Sequence, residues 1–201
     1  MSSVDHYSCL DRRLVCQNER FDVFFDRVQL PSGEVIPDFL IVRPKVCTSD
    51  KVVGVCVVPV REGFVGLMRG YRHQLDEEVW QAPAGFVESG ESAEQSALRE
   101  LEEETQMTVS ADELMPLGLH VPDAGLIEGK IALFVACGAQ ACGDVGERHK
   151  EAGTGELHWF DPKELRRLLT SPANISGATV VLCMRLLELK GRDLFPQDRP
   201  N

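Results

Sequence analysis

Nowhere does this 201-residue chain string together the roughly 20 apolar residues that a membrane-spanning helix needs, so a helical bilayer span is excluded. Its start, MSSVDHYSCLDRRLVC, lacks a basic patch followed by an apolar run, so no secretory leader is expected. CxxC pairs are absent as well. The seven cysteines (9, 16, 47, 56, 137, 142 and 183) are odd in number and scattered, which argues against a disulfide framework and for a reducing cytoplasm. Cys56 and Cys137 sit in apolar runs, where a thiol serves as a small hydrophobe. His73, His120 and His158 stand at no ligand spacing from cysteine or from one another, so a zinc site is not expected. Positive charge is scarce: 21 Lys and Arg face 32 Asp and Glu, for a net charge of −11. Nucleic acid is therefore not an expected partner, because phosphate affinity rests on a basic surface. An acidic protein that acts on a phosphate compound needs cations to bridge the two sets of negative charge.

What is present begins with an ordinary globular balance of 43% hydrophobic and 26% charged residues, in a length that allows one or two domains. Residues 1 to about 46 read as a small β-rich unit. Phe21 to Leu30 is strand-like, Pro31-Ser32-Gly33 turns, and Val35 to Val42 returns. A second hairpin follows, with Val52 to Val60 nearly unbroken in β-branched residues, a turn at Arg61-Glu62-Gly63, and Phe64 to Met68. Further strands are expected at about 114–121, 130–137 and 157–160, with a mobile glycine-rich loop at 138–155. Asp161 is placed to cap a helix whose first turn holds Pro162, and a last amphipathic helix covers about 178–190. No internal repeat is found. Strands and helices mix without regular βαβ alternation, which predicts α+β packing or a helix–sheet–helix sandwich.

The most informative stretch is Gly85 to Met107, GFVESGESAEQSALRELEEETQM, with six glutamates in the fourteen residues Glu91 to Glu104. Ala93, Ala97, Leu98 and Leu101 supply an apolar stripe, so this segment predicts a helix docked on a core. Ser92 with Gln95 forms a capping-box pattern at its start. On such a helix Glu100, Glu103 and Glu104 share one face while Glu102 points away. Three crowded carboxylates repel one another unless a multivalent cation lies among them, and hard oxygen donors favour magnesium or manganese. Arg99 stands four residues before Glu103, a spacing that lets a guanidinium orient a carboxylate.

This segment resembles the Nudix box, G-x5-E-x7-R-E-U-x-E-E-x-G-U, where U is a bulky apolar residue. Gly85, Glu91, Arg99, Glu100, Leu101, Glu103, Glu104 and Met107 stand where the pattern asks, and Gln106 replaces its second glycine. That glycine lets the chain leave the helix in a left-handed conformation, at a cost to other residues of roughly 1 kcal/mol. The resemblance implies a Nudix α/β/α sandwich over about residues 50 to 195, following the N-terminal β-rich unit at 1–46. It also implies hydrolysis of a nucleoside diphosphate linked to another group, with Mg2+ (or Mn2+ in its place) held by Glu100, Glu104 and the backbone carbonyl of Ala84. Glu103 is then either a further ligand or a residue that orients water. Glu91 either binds metal or ties down the loop through a salt bridge.

Tyr71-Arg72, Val79-Trp80-Gln81-Ala82-Pro83-Ala84-Gly85 and the LPSGEVI hairpin are similar to the ADP-ribose pyrophosphatase branch, with Gln81 where that branch usually has glutamate. Pro122-Asp123-Ala124-Gly125-Leu126-Ile127-Glu128 resembles the branch's loop that carries a catalytic glutamate, with Ser-Pro altered to Asp-Ala. The likeness implies ADP-ribose as substrate, a homodimer whose N-terminal units are commonly exchanged, and Glu128 as general base rather than an ordinary exposed loop acid. Arg72 reads either as a clamp on the substrate's phosphates or as a surface partner of Asp76 or Glu77. Trp80 reads as core or as a platform for adenine. The alternatives in view are another nucleotide sugar (GDP-mannose or ADP-glucose), damaged nucleoside triphosphates, or a non-catalytic nucleotide-binding regulatory module.

Overall fold

The computed structural model describes residues 6–142 and 155–189. Within the first of these spans three strands form an antiparallel meander, β1 (Ser8–Gln17), β2 (Phe21–Gln29) and β3 (Val35–Pro44), in the order β1-β2-β3. The hairpin from 21 to 44 follows the sequence expectation, with Gly33 at φ 88° in its turn. The first strand was not expected. Its register shifts between Cys9 and Asp11 and again between Leu14 and Cys16, and each shift resets the alternation by which a strand is recognised. At the β1–β2 turn, Asn18 Oδ1 accepts from the backbone N–H groups of Arg20 at 2.9 Å and Phe21 at 2.7 Å.

The remaining elements build one sheet covered on both faces. They are β4 (Val52–Arg61), β5 (Phe64–Arg72), β6 (Glu77–Gln81), β7 (Ala84–Phe86), α1 (Ala93–Thr105), β8 (Met107–Thr108), β9 (Leu114–His120), β10 (Lys130–Cys137), β11 (Gln140–Ala141), β12 (Leu157–Phe160), α2 (Pro162–Leu169) and α3 (Gly177–Leu187). Seven strands pair in the order β12-β5-β4-β10-β9, with β6 added to β5 and β7 to β4, while β8 and β11 form a separate two-residue ladder. Among the described residues, β4–β10 is the one strand-to-strand pairing in this sheet that is parallel. Every residue of β4 except Arg61 is buried, as a central strand sandwiched between layers requires. Alternation along β4 divides the core. Val55 and Val57 face Ala97 and Leu101 of α1, whereas Cys56, Val58 and Val60 face Leu165 of α2 and Leu182, Cys183 and Leu186 of α3. This is the expected helix–sheet–helix sandwich. Burial pushes the Cys56 thiol up to about 12, in keeping with a packing role. The expected loop at 138–155 falls mostly outside the described residues; the last helix ends at Leu187.

Local chemistry fixes the helix that matters most. Ser92 Oγ accepts from the Gln95 N–H at 3.2 Å, and Gln95 Oε1 accepts from the Ser92 N–H at 2.8 Å, which completes the capping box. The helix exits through Gln106 at φ 58°, ψ 31°, with its N–H donating to the Glu102 carbonyl at 2.8 Å. The left-handed exit is thus kept without the glycine. Gln106→Gly is expected to stabilise the fold by about 0.5–1 kcal/mol, raising Tm by roughly 2–4 °C. Thermal unfolding checks this, and a lowered Tm would show that the Gln106 side chain itself holds the exit. Asp161 caps α2 as expected, with Oδ1 accepting from Lys163 N at 2.7 Å and Glu164 N at 2.8 Å.

Candidate active site

Arg99 on α1 is the hub of the acidic segment. Its Nε donates to Glu91 Oε1 at 3.0 Å, and its Nη1 reaches Glu100 Oε1 at 2.7 Å and Glu103 Oε2 at 3.1 Å. Its Nη2 donates to the Phe86 carbonyl at 3.0 Å and to Glu91 Oε2 at 3.1 Å. The crowding of carboxylates is therefore relieved by one guanidinium shared among three acids. Burial works to lower the Arg99 pKa; the hydrogen bonds it donates to Glu91 and Glu100 outweigh it and hold the group well above its ordinary value. Glu91, bonded to Arg99 and also accepting from Ser96 Oγ at 2.6 Å, is held below the usual carboxylate range. A salt bridge from Glu91 to Arg99 is one of the two roles its position suggested. The Arg99–Glu103 pair matches the i,i+4 expectation, but Glu91 and Glu100 were not foreseen as its partners.

The three box acids differ in setting. Glu100 and Glu104 are buried at 8% and 7% exposure, whereas the Glu103 side chain is half exposed. Glu104 Oε2 accepts the Ala84 N–H at 2.9 Å, which binds the helix to the short strand β7. Gly85, next along β7, leaves room for Glu100: a Cβ there would stand 1.9 Å from Glu100 Oε1. No other residue fits at 85 with Glu100 in place. Among the described residues, no three carboxylate, histidine or cysteine side chains converge as a ready cage, because Glu100 and Glu103 are drawn to Arg99 and Glu104 to the Ala84 amide. Even so, the donors gathered here are hard oxygens, and the glycine-lined cradle keeps a buried carboxylate against the backbone. That donor chemistry fits magnesium or manganese.

Beside this helix lies a cleft of about 590 Å³. Its lining includes Arg99, Glu100 and Glu103 of α1, Arg20 and Lys45 from the N-terminal unit, and Phe86. Phe86 meets Phe21 edge to face at 5.4 Å, and the Arg20 guanidinium lies 5.6 Å from its ring centre. Sequence reading missed Arg20, Lys45 and Phe86. Phe86 occupies a position the box pattern leaves free, and the two cations are brought in from a separate sheet.

Other expected residues lie elsewhere. Arg72 is not among the cleft-lining residues; its Nη2 donates to Gln81 Oε1, while Tyr71, not Arg72, bonds Asp76. Glu128 is likewise outside the lining, held by Arg12 at 3.2 Å and Lys51 at 3.3 Å. Trp80 is half-buried and meets His158 and Phe160 edge to face, each at 5.2 Å, so it packs with the α2 side of the core.

A family model described as the NUDIX domain matches residues 50–179. The chain belongs to the Nudix family. It is a Nudix hydrolase, and proteins of this family generally work with a divalent metal. It is 30% identical over 116 residues to the ADP-ribose pyrophosphatase of Bacillus subtilis, covering 57% of each chain. It is 25% identical over 181 residues to the CMP-5'-(N-acetyl-N-hydroxy-3-aminopropyl)phosphonate hydrolase of Streptomyces rubellomurinus, covering 89% of this chain and 81% of that one. Among solved structures, one titled "Crystal structure of ADP compounds hydrolase" superposes with a TM-score of 0.73 at 19% identity, over 92% of this chain and 95% of its own, which shows the shared Nudix fold.

Proposed function

We propose that this Nudix hydrolase is a magnesium-dependent pyrophosphatase that cleaves ADP-ribose to AMP and ribose 5-phosphate. The observation that carries the proposal is the cleft lined both by Glu100 and Glu103 of α1 and by Arg20 and Lys45 of the N-terminal unit. Such a volume suits a nucleotide sugar, and the two cations suit its diphosphate on an otherwise acidic protein. Glu100, Glu104 and the Ala84 carbonyl would hold the ion, with Glu103 either joining them or orienting water. Bound there, a divalent ion supplies Lewis-acid neutralisation of the diphosphate and acidifies nearby water. Gly85 admits Glu100 to the site, Arg99 steadies the box acids, Glu128 takes the proton from the attacking water, and Arg72 clamps the phosphates once the substrate spans the site. The N-terminal residues 1–46 and the catalytic residues 50–195 act as two units in this reading.

The long match to a CMP-phosphonate hydrolase favours a second reading, hydrolysis at a nucleoside monophosphate joined to a phosphonate. A panel of ADP-ribose, ADP-glucose, GDP-mannose, damaged nucleoside triphosphates and a CMP-phosphonate, assayed with magnesium and with chelator, decides between them. ADP-ribose is expected to have the highest kcat/KM, and activity to vanish with the metal. Equal or better turnover of another substrate would reject the ADP-ribose assignment.

A homodimer and a cytoplasmic setting complete the proposal. All ten residues of β1 are exposed, among them Leu10, Leu14 and Val15, and Leu40 of β3 is exposed too, an apolar surface that a second copy would cover. Sedimentation of the full chain should give the dimer mass, and Leu14→Asp the monomer mass; a monomeric wild type refutes this. Among the described residues none of the seven cysteines forms a disulfide, in keeping with a reducing compartment, and no described helix is long and apolar enough to cross a membrane.

A further inference from the structure

We infer that Arg12, on strand β1 of the N-terminal unit, is a positioning residue for Glu128, an inference that rests on reading Glu128 as the base. Arg12 is itself fixed by a forked ion pair. Its Nε donates to Asp26 Oδ1 at 2.9 Å and its Nη2 to Asp26 Oδ2 at 2.8 Å, and Asp26 is only 2% exposed. The guanidinium also lies 4.9 Å from the centre of the Phe24 ring, with Arg43 at 4.5 Å from the same ring. Two nitrogens so engaged leave the third, Nη1, aimed at one place, where it meets Glu128 Oε2 at 3.2 Å. A planar guanidinium docked on a buried carboxylate has little freedom left, so its free arm acts as a rigid donor. Lys51 Nζ meets the other oxygen, Oε1, at 3.3 Å.

The main chain adds to this hold. Val42 of β3 donates its N–H to the Leu126 carbonyl at 2.9 Å and accepts the Glu128 N–H at 2.9 Å, a parallel bridge between Val42 and Ile127. The loop that carries Glu128 is therefore docked on the N-terminal sheet by backbone and side chain together. Its place relative to the box follows from register. Lys130 pairs with Val52, and Phe86 pairs with Gly54, so the loop before β10 and the end of β7 flank the same end of β4. Two strand spacings separate them, roughly 10 Å. A base brought to that end by a flexible loop alone would spend most of its time elsewhere; Asp26, through Arg12, restricts it. The N-terminal unit thereby serves turnover as well as binding.

Four variants test this in the full-length protein with ADP-ribose and magnesium: Arg12→Ala, Arg12→Lys, Glu128→Gln, and Arg12→Ala combined with Glu128→Gln. Arg12→Ala is expected to lower kcat about tenfold with KM little changed, and Arg12→Lys to recover part of the loss. On the Glu128→Gln background Arg12→Ala is expected to cost nothing further, which a merely structural role would not produce. Should Arg12→Ala fail to fold with Asp26 left unpaired, Arg12→Ala with Asp26→Ala removes the pair together and is read in the same way. Unchanged or increased kcat in the folded Arg12 variant, or a loss that adds in full to that of Glu128→Gln, overturns the positioning role alone. Wild-type kcat in Glu128→Gln overturns the base assignment, and the role of Arg12 with it.

Discussion

Glu104→Gln is expected to lower kcat by about 10²–10³-fold while the protein stays folded and still binds a nonhydrolysable ADP-ribose analogue, because losing one hard anionic donor removes several kcal/mol of transition-state stabilisation. The substitution is nearly isosteric. A glutamine at 104 keeps a carbonyl oxygen for the Ala84 N–H, now accepted by Glu104 Oε2 at 2.9 Å, so the link between α1 and β7 survives. What disappears is charge in a position only 7% exposed, where little solvent can take its place. Steady-state kinetics alongside analogue binding and thermal unfolding separate the possibilities. A variant within about threefold of wild-type turnover would mean that Glu104 has no part in the chemistry, and the non-catalytic nucleotide-binding module would return to contention.

Gly85→Ala is expected to act in the same direction by a different route. The added methyl carbon would lie 1.9 Å from Glu100 Oε1 and 2.6 Å from Oε2, so Glu100 has to leave. It has a flexible end and can do so, at a stability cost on the order of 1–3 kcal/mol. In leaving it gives up its 2.7 Å bond to Arg99 and its place beside β7, so turnover should fall at least 10²-fold. Gly54 makes the instructive contrast. There a Cβ would lie 2.8 Å from the Gly85 carbonyl oxygen, which is backbone and cannot swing aside, so Gly54→Ala should cost stability first. Kinetics and Tm measured on both variants check this, and the opposite pattern at Gly85 (a large Tm loss with normal kcat) would refute the cradle.

The parts of this molecule that could be read from sequence are those fixed by short-range chemistry. The capping box at Ser92 and Gln95, the Asp161 cap and the Arg99–Glu103 pair all depend on residues within four positions of each other, whereas the left-handed exit at Gln106, without its glycine, had to be seen in the structure. The nearly unbroken run of β-branched residues from Val52 to Val60 likewise announced a strand. What remained hidden is long-range. Glu91 lies outside α1 and returns to Arg99 by way of the preceding loop, at a spacing no helical periodicity describes. Arg12 and Glu128 are 116 residues apart, and nothing near either marks the other. Arg20 and Lys45 reach the cleft because two independent sheets meet there, so their role depends on a packing angle and not on a motif. Strand β1 escaped notice because its bulges break the period by which strands announce themselves. Arg72 had acidic neighbours in the chain, yet its bond goes to Gln81.

The parallel pairing of β4 with β10 has a bearing on how the polypeptide assembles. The two hairpins at 21–44 and 52–72 can close early, since each needs only a tight reversal. The middle of the large sheet cannot: β10 must travel back past α1 and β9 before it docks beside β4, pairing Lys130 with Val52 and Cys137 with Val60. Until then β4, apolar on both sides, has one flank unguarded. Renaturation of this chain is therefore expected to wait on a late, distant docking event, and dilute, cool conditions that outlast it are expected to favour the native form over clumping.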